Sequence, residues 1–272
     1  RPASAHGYAV PGFVCLGWED SRAFVTAAEA EGAPVILQAG PGCRAHTPLA
    51  VIAAMFRHLA DSVSVPVVLH LDHGRSVEEI EAAIAEGFTS VMYDGSALPL
   101  EDNIRTTAAI ARLAHQSGVS CEGEIGFVGY AGGAASRSTD PAEAARFSEE
   151  AGIDAMAVAA GNVHLQREAT TPLDAPALSA LRAASHGKVP LVIHGGSGVP
   201  EAQRASLARS GLVAKFNIGT ELRQIFGQAL RDSLQASPAE FDRIRLLQPT
   251  EAPLVEKARQ VLRSLGAAGR AG

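Results

Sequence analysis

The sequence has few cysteines, few aromatic residues and no long apolar run, and each shortage excludes a class of protein. Its 272 residues include three cysteines, Cys15, Cys43 and Cys121, and no CxxC pair. This argues against a disulfide framework and against a thiolate zinc site, so buried free thiols are expected. No apolar run is long enough to span a membrane and no signal peptide opens the sequence, so we expect a cytoplasmic protein without a membrane partner.

Basic residues are also in the minority. The chain has 23 lysines and arginines against 29 aspartates and glutamates, a net charge of −6, and the arginines are scattered. This balance argues against a nucleic-acid partner. Aromatic residues make up 5% of the chain and hydrophobic residues 47%. Such an aliphatic, alanine-rich composition is typical of the interior of α/β enzymes.

Short β-rich runs alternate with helical patterns along the whole chain. Most of these runs are continuously apolar, as expected of parallel strands that are covered on both faces. The eight predicted strands span residues 8–13, 34–38, 66–71, 89–93, 119–122, 155–159, 190–194 and 213–217. Eight strand–helix units in a chain of this length predict a (β/α)₈ TIM barrel. No linker or composition shift divides the chain, so we expect residues 1–272 to form a single domain.

Helical patterns lie between the predicted strands, for example over residues 76–86, 101–116, 141–151 and 201–210. Asp20 and Ser76 are predicted to be helix N-caps, and Glu79 stands three residues after Ser76, as a capping box requires. Residues 237–272 add helix beyond the eighth unit.

Histidines follow three of the predicted strands. The third strand leads into His73, the sixth into His164 and the seventh into His194. Carboxyl ends of barrel strands meet at one face, so the three imidazoles can converge and leave a fourth ligand position open, an arrangement typical of catalytic zinc. Asp72 could exchange a proton with a bound substrate or hold a histidine tautomer. Neighbours on a strand point to opposite sides, so Asp72 and His73 can share a site only where the strand turns into its loop.

Two glycine-containing turns follow the last two predicted strands. One contains Gly195, Gly196 and Ser197, and the other contains Asn217, Ile218, Gly219 and Thr220. Loops at these two positions of a β/α barrel commonly bind phosphate through backbone N–H groups and helix N-termini.

With these motifs, residues 7–225 resemble the class II fructose-bisphosphate and tagatose-bisphosphate aldolases. The most specific match is VPVVLHLDHG at residues 65–74. The others are MYDGS at 92–96, EGEIG at 122–126, GNVH at 161–164, HGGS at 194–197 and NIGTE at 217–221.

The resemblance implies a reversible aldol cleavage of a phosphorylated ketose. It implies one Zn²⁺ per subunit, bound by His73, His164 and His194, with room for a monovalent cation, and Asp72 as the group that exchanges a proton with substrate. The turns 195–197 and 217–220 would hold the phosphate of dihydroxyacetone phosphate. Glu124 and Asp94 would support the metal, although a structural role as hydrogen-bond acceptors is nearly as well founded for both. Homodimers or homotetramers are usual in this family.

Four positions at the predicted barrel mouth depart from the family pattern. Val14 replaces an asparagine, Gly40 replaces a hydroxyl residue, and Leu165 replaces a glycine that helps to bind phosphate. After Gly126 no carboxylate occurs until Asp140, so the acidic mobile loop that supplies the base is missing. These changes indicate a substrate other than fructose 1,6-bisphosphate. The unusual rim residues are Arg44, His46, Tyr130, Arg137, Gln166 and Arg167.

Some of these rim residues could read a different anionic or sugar group, and His46 could act as the missing base. Lys215 lies on the eighth predicted strand, where a class I barrel could use a Schiff-base lysine, but the histidine set favours metal chemistry. Two further functions stay open: a zinc-dependent isomerase on the same scaffold, and a non-catalytic sugar-phosphate-binding or regulatory subunit.

Overall fold

The computed structural model describes residues 2–272 and confirms the (β/α)₈ barrel. Its eight parallel barrel strands are β1 Val10–Val14, β2 Val35–Ala39, β3 Val67–Gly74, β4 Ser90–Tyr93, β5 Ser120–Ile125, β7 Ala155–Val158, β9 Leu191–Ile193 and β10 Lys215–Ile218. They close in the order β1-β10-β9-β7-β5-β4-β3-β2. Each of the eight overlaps one of the strands predicted from the sequence.

Helices cover the outside of the barrel and extend past its last unit. They are α1 Pro2–Ala5, α2 Trp18–Glu31, α3 Pro41–His46, α4 Leu49–Asp61, α5 Val77–Ala85, α6 Leu100–Gln116, α7 Pro141–Glu150, α8 Ala175–Ala184, α9 Glu201–Arg209, α10 Thr220–Ala236, α11 Arg243–Leu247 and α12 Glu251–Ser264. Two short segments, β6 Gly129–Tyr130 and β8 Val163–His164, pair in parallel above the barrel. None of the helices in residues 2–272 combines the length and apolarity needed to cross a membrane.

The core has two layers, as the continuously apolar strands predict. The larger layer lies between strands and helices, where Phe13 of β1 packs on Phe24 of α2 with ring centroids 4.9 Å apart. A smaller layer inside the barrel consists of Met92, Ala157 and Val192, all fully buried. The two layers fix the strands on both faces and so hold their carboxyl ends in place.

The predicted N-cap at Ser76 agrees with the structure, but the one at Asp20 is wrong. The Ser76 hydroxyl accepts a hydrogen bond from the Glu79 amide at 3.2 Å. Helix α2 begins at Trp18, two residues before Asp20, with Gly17 as its N-cap residue. The Asp20 carboxylate instead reaches back and accepts from the amides of Leu16 at 2.8 Å and Gly17 at 3.0 Å. Glycine has no capping side chain, so an acidic residue in the first turn satisfies these amides.

Candidate active site

The carboxyl ends of the strands bring the three predicted histidines together. The ring centroids of His73 and His194 are 4.7 Å apart, those of His73 and His164 are 5.2 Å apart, and those of His164 and His194 are 5.7 Å apart. One ring nitrogen from each residue lies within 4.8 Å of the other two. The three side chains therefore form one cluster at the barrel mouth, although they are far apart in sequence.

The end of β3 turns within the strand itself, which allows neighbouring residues to reach the same site. The pairing register between β3 and β4 shifts between Leu71 and Gly74, and His73 has a φ of 52°. A left-handed backbone is uncommon for a residue with a side chain. As a result both Asp72, 5% exposed, and His73, 8% exposed, are buried at the mouth. The strand therefore already turns at this point, as the sequence requires if Asp72 and His73 are to share one site.

Carboxylates hold two of the histidine rings in a defined orientation. Nδ1 of His73 lies 2.9 Å from Oδ2 of Asp94, which leaves Nε2 of His73 free. Nε2 of His194 lies 3.0 Å from Oε1 of Glu122, which leaves Nδ1 of His194 free. A carboxylate on one imidazole nitrogen fixes the tautomer and presents the other nitrogen as a ligand. This arrangement is typical of metal-binding histidines.

Two buried polar atoms in the cluster are left without a hydrogen-bond partner within residues 2–272. They are Nδ1 of His194 and Oε2 of Glu124, which are 3.5 Å apart. Glu124 Oε2 also lies 3.7 Å from Nδ1 of His73, and His73, Asp94 and Glu124 form a second group with ligand spacing. A buried polar atom without a partner destabilises the fold unless a hydrogen bond or a bound ion satisfies it. Imidazole and carboxylate donors suit Zn²⁺, so the residues fit such an ion.

Burial sets the charge of the third histidine. Burial first, and then the neighbouring His194 and His73, lower the pKa of His164 to about 3. The His164 ring is therefore neutral at physiological pH and keeps a lone pair for a metal. Burial also raises the pKa of Glu124 above the usual glutamate range, against the pull of His194 and His73.

The carboxylate of Asp72, on β3, lies beside Asn217 of β10. Its Oδ1 accepts a hydrogen bond from Nδ2 of Asn217 at 3.2 Å. Its Oδ2 accepts no hydrogen bond within residues 2–272 and lies 3.6 Å from the point that a Cβ on Gly40 would occupy, an ordinary contact distance. Burial alone would raise the pKa of Asp72, but His73, His194 and Lys215 hold it below the usual value. An ionised, oriented carboxylate with one open oxygen is suited to accept a proton.

The two predicted phosphate turns lie side by side. Gly195 has a φ of 65°, and a Cβ there would come within 2.3 Å of the Val163 carbonyl oxygen, so only glycine fits. Gly196 follows in a short 3₁₀ turn that ends at Gly198. In the second turn Asn217 and Ile218 end β10, Gly219 is the N-cap residue of α10 and Thr220 begins the helix.

Ser197 connects these turns. Its Oγ accepts hydrogen bonds from the amides of Gly219 at 3.2 Å and Glu221 at 3.3 Å. Since the oxygen accepts from two amides, the hydroxyl proton of Ser197 is left to donate, and an anion at the N-terminus of α10 could accept it.

Arg44 and His46 are not part of the histidine cluster. His46 ends α3 and lines a separate, mostly apolar cavity of about 380 Å³, together with Val14 and Arg223. The guanidinium of Arg44 donates to the main-chain carbonyls of Ala39, Asp72 and His73. The guanidinium of Arg44 is therefore occupied by the main chain, whereas the role of His46 as a base stays a prediction.

An ionic network below the cluster was not predicted from the sequence. Lys215 Nζ lies 2.7 Å from Oε2 of Glu122 and 3.2 Å from Nε2 of His70, and His70 Nδ1 lies 2.8 Å from the Ser90 hydroxyl. These side chains fill the barrel interior, so Lys215 is engaged in a buried ion pair. A signal was present, since His70, Glu122 and Lys215 are polar residues inside predicted strands, but their mutual contacts depend on barrel closure.

A known family and several known proteins match the chain over most of its length. The profile of the family described as Fructose-bisphosphate aldolase class-II matches residues 1–270. A fructose-bisphosphate aldolase of Streptococcus pyogenes is 38% identical over 258 residues, which are 92% of this chain and 87% of that protein. A probable fructose-bisphosphate aldolase of Bacillus subtilis is 37% identical over 278 residues, 99% of this chain and 96% of that protein.

The chain belongs to the class II fructose-bisphosphate aldolase family. A solved structure, the YdjI aldolase of Escherichia coli K12, superimposes with a TM-score of 0.86 at 33% identity and covers 100% of this chain and 96% of that one. The chain is thus an aldolase homologue, and aldolases are carbon–carbon lyases. Class II aldolases depend in general on zinc, which the histidine cluster can accommodate.

Proposed function

We propose that this protein is a zinc-dependent class II aldolase that reversibly cleaves a phosphorylated ketose, or a close analogue, other than fructose 1,6-bisphosphate. The single observation that carries the proposal is the convergence of His73, His164 and His194 beside the open carboxylate oxygen of Asp72. When bound, zinc supplies a Lewis acid that stabilises the negative charge left on the substrate as the carbon–carbon bond breaks.

Residues of the protein transfer the proton, orient the carboxylate and bind the phosphate. In the cleavage direction Asp72 accepts the proton of the hydroxyl group whose carbon becomes the aldehyde. The electron pair of the broken bond stays on the dihydroxyacetone phosphate half, whose carbon then takes up a proton from water. In the synthesis direction these transfers are reversed. Asn217 keeps the carboxylate turned toward the site by its hydrogen bond to Oδ1. The N-terminus of α10 and the Ser197 hydroxyl hold the phosphate of the dihydroxyacetone phosphate half, which fixes the distance between the reacting carbon and Asp72.

Leu165 supports a substrate different from fructose 1,6-bisphosphate. Its φ of 60° keeps the left-handed backbone that favours glycine, the residue expected here from the family pattern. Leu165 therefore preserves the course of the chain but adds a side chain that is 50% exposed at the mouth. Leu165 follows Val163 and His164, which lie against Gly195, so it changes the surface beside this turn.

The side cavity, lined by His46 and Arg223, contains another of the departures from the family pattern. Val14, at the end of β1, contributes to its wall, together with apolar side chains of α2, α4 and α10 such as Trp18, Met55 and Phe226. Valine offers no hydrogen bond to a phosphate oxygen, whereas the asparagine of the family pattern would offer one.

The proposal is tested by metal analysis together with an assay for triose-phosphate release over a panel of ketose phosphates. We expect one zinc per subunit and cleavage that a chelator abolishes and added zinc restores. The Asp72→Asn variant should keep its zinc and lose about 10²-fold or more in kcat. Zinc-free protein as purified, or binding of sugar phosphates without any turnover across the panel, would contradict the proposal and favour a non-catalytic binding protein.

A further inference from the structure

Arg44 spans the carboxyl ends of two neighbouring barrel strands. Its Nη1 donates to the carbonyl oxygen of Ala39 at 2.6 Å, at the end of β2, and to that of Asp72 at 2.7 Å, near the end of β3. Its Nη2 donates to the carbonyl oxygen of His73 at 3.1 Å. A single guanidinium thus binds the peptide groups that follow both the proton-transfer residue and the first of the three histidines.

The bonds of Arg44 are made at a strained position. His73 has a φ of 52°, a strained conformation that persists only where surrounding contacts enforce it. It also follows a register shift in the pairing of β3 with β4. Asp72 and His73 fall outside the residue pairs that β3 forms with β2 and β4, and Arg44 donates to the carbonyl groups of both.

The guanidinium of Arg44 is not free to bind a ligand, because its contacts are all within the protein. The side chain of Arg44 is only 10% exposed, and its fourth contact, to Glu79 Oε1 at 3.5 Å, is also within the protein. Helix α3 fixes its position, because Gly40 and Pro41 start this helix directly after β2. Arg44 donates to three carbonyl oxygens from two nitrogens of one planar group. The single ammonium of lysine cannot reproduce this planar arrangement of donors.

We propose that Arg44 is a positioning residue that holds the β3 turn in the conformation in which Asp72 and His73 both face the site. It acts through the main chain of these residues and does not touch substrate. Without Arg44 the turn can relax toward a regular strand, in which two neighbouring side chains point to opposite sides. The geometry of the metal ligands and the distance from Asp72 to substrate should then change together.

The test compares Arg44→Gln and Arg44→Lys with a matched control, Arg57→Gln. Arg57 lies on α4 and likewise donates to a main-chain carbonyl, that of Glu86, away from the site. Zinc affinity is measured by competition with a chromogenic chelator, and ligand geometry by the visible absorption spectrum of the Co²⁺-substituted proteins. Turnover is measured as kcat and KM separately, and folding by circular dichroism and thermal unfolding.

For Arg44→Gln we expect a loss of about 10-fold or more in zinc affinity, an altered Co²⁺ spectrum and a kcat about 10–100-fold lower, with KM changed less than 3-fold. Arg44→Lys should keep the fold and lie between Gln and wild type. Arg57→Gln should affect thermal stability alone.

A raised KM with unchanged zinc affinity would overturn the proposal and show that Arg44 reads the substrate. Unchanged zinc affinity, spectrum and kcat in folded Arg44→Lys and Arg44→Gln would overturn it as well. If Arg44→Gln does not fold, Arg44→Lys decides by the same readouts. The kcat readout rests on the proposed aldolase activity, whereas zinc affinity and the Co²⁺ spectrum do not, so failure of the one is distinguishable from failure of the other.

Discussion

The phenol ring of Tyr130 lies over the imidazole ring of His164, with centroids 4.9 Å apart and planes inclined by 27°. The pairing of β6 with β8 places Tyr130 directly opposite His164. The rings of His73 and His194 are each fixed by a carboxylate, whereas no side-chain hydrogen bond in residues 2–272 fixes the ring of His164. Stacking on Tyr130 takes the place of the missing carboxylate.

Replacing Tyr130 by alanine should therefore weaken metal binding. We expect zinc affinity to fall about 3–10-fold, because the ring of His164 gains rotational freedom that binding must remove. Tyr130→Phe keeps the stacked ring and serves as the control, with affinity within about 2-fold of wild type. Chelator competition measures both. Equal losses in the two variants would show that the hydroxyl, and not the stacking, matters.

The ion pair of Lys215 and Glu122 leads to a prediction about stability. Both side chains are less than 10% exposed, and removing one buried partner leaves the other charge uncompensated. Lys215→Met should lower the free energy of unfolding by about 3–5 kcal/mol, as measured by urea titration. In the double variant Lys215→Met/Glu122→Gln much of this loss should be recovered. A double variant no more stable than the single one would show that the charge of Glu122 is compensated elsewhere.

The pH dependence of stability should reflect Glu221. Its carboxylate contacts Arg204 and, at 2.9 Å, Lys257. Burial alone would raise the pKa of Glu221, but these two cations hold it below the ordinary value of 4.5. A lowered pKa stabilises the fold at pH values above the unfolded-state pKa, and this contribution is lost as the pH falls toward the folded-state value.

Glu221→Gln should accordingly lower Tm at pH 7, and the difference from wild type should shrink as the pH falls below 4.5. Thermal unfolding followed by circular dichroism between pH 7 and about pH 3.5 measures this. Glu201→Gln is a control, because Glu201 is exposed on the neighbouring helix α9 and forms no ion pair in residues 2–272. A Tm difference that is constant with pH would refute the assignment.

The sequence predicts the barrel and the convergence of the histidines because both follow from local patterns. Apolar runs define the strands, and the closure of the barrel brings residues at strand ends together. The roles of Arg44, Tyr130 and Glu122 could not be predicted, because each depends on the rotamer of one side chain relative to a distant part of the chain. The N-cap prediction at Asp20 failed for a related reason, since the helix begins two residues earlier, after a glycine.

Substitutions that restore the family pattern at Val14 and Gly40 test whether these two positions determine the substrate. Gly40 has an ordinary φ of −76°, and a Cβ there would lie 3.6 Å from Oδ2 of Asp72, a normal contact, so serine fits without strain. Val14 lines the side cavity, where asparagine would add polar atoms near the end of β1. We expect Val14→Asn/Gly40→Ser to raise kcat/KM for fructose 1,6-bisphosphate about 10-fold or more, since one or two new hydrogen bonds to a charged group contribute about 1.5–3 kcal/mol each.

The matched control for this pair is Val14→Ala/Gly40→Ala, which changes the shape of the mouth without adding hydrogen-bonding groups. It should leave kcat/KM for fructose 1,6-bisphosphate within about 3-fold of wild type. Steady-state assays of triose-phosphate release, run on the same preparations after zinc content has been equalised, measure both. If the polar pair and the alanine pair behave alike, these two positions do not determine the substrate.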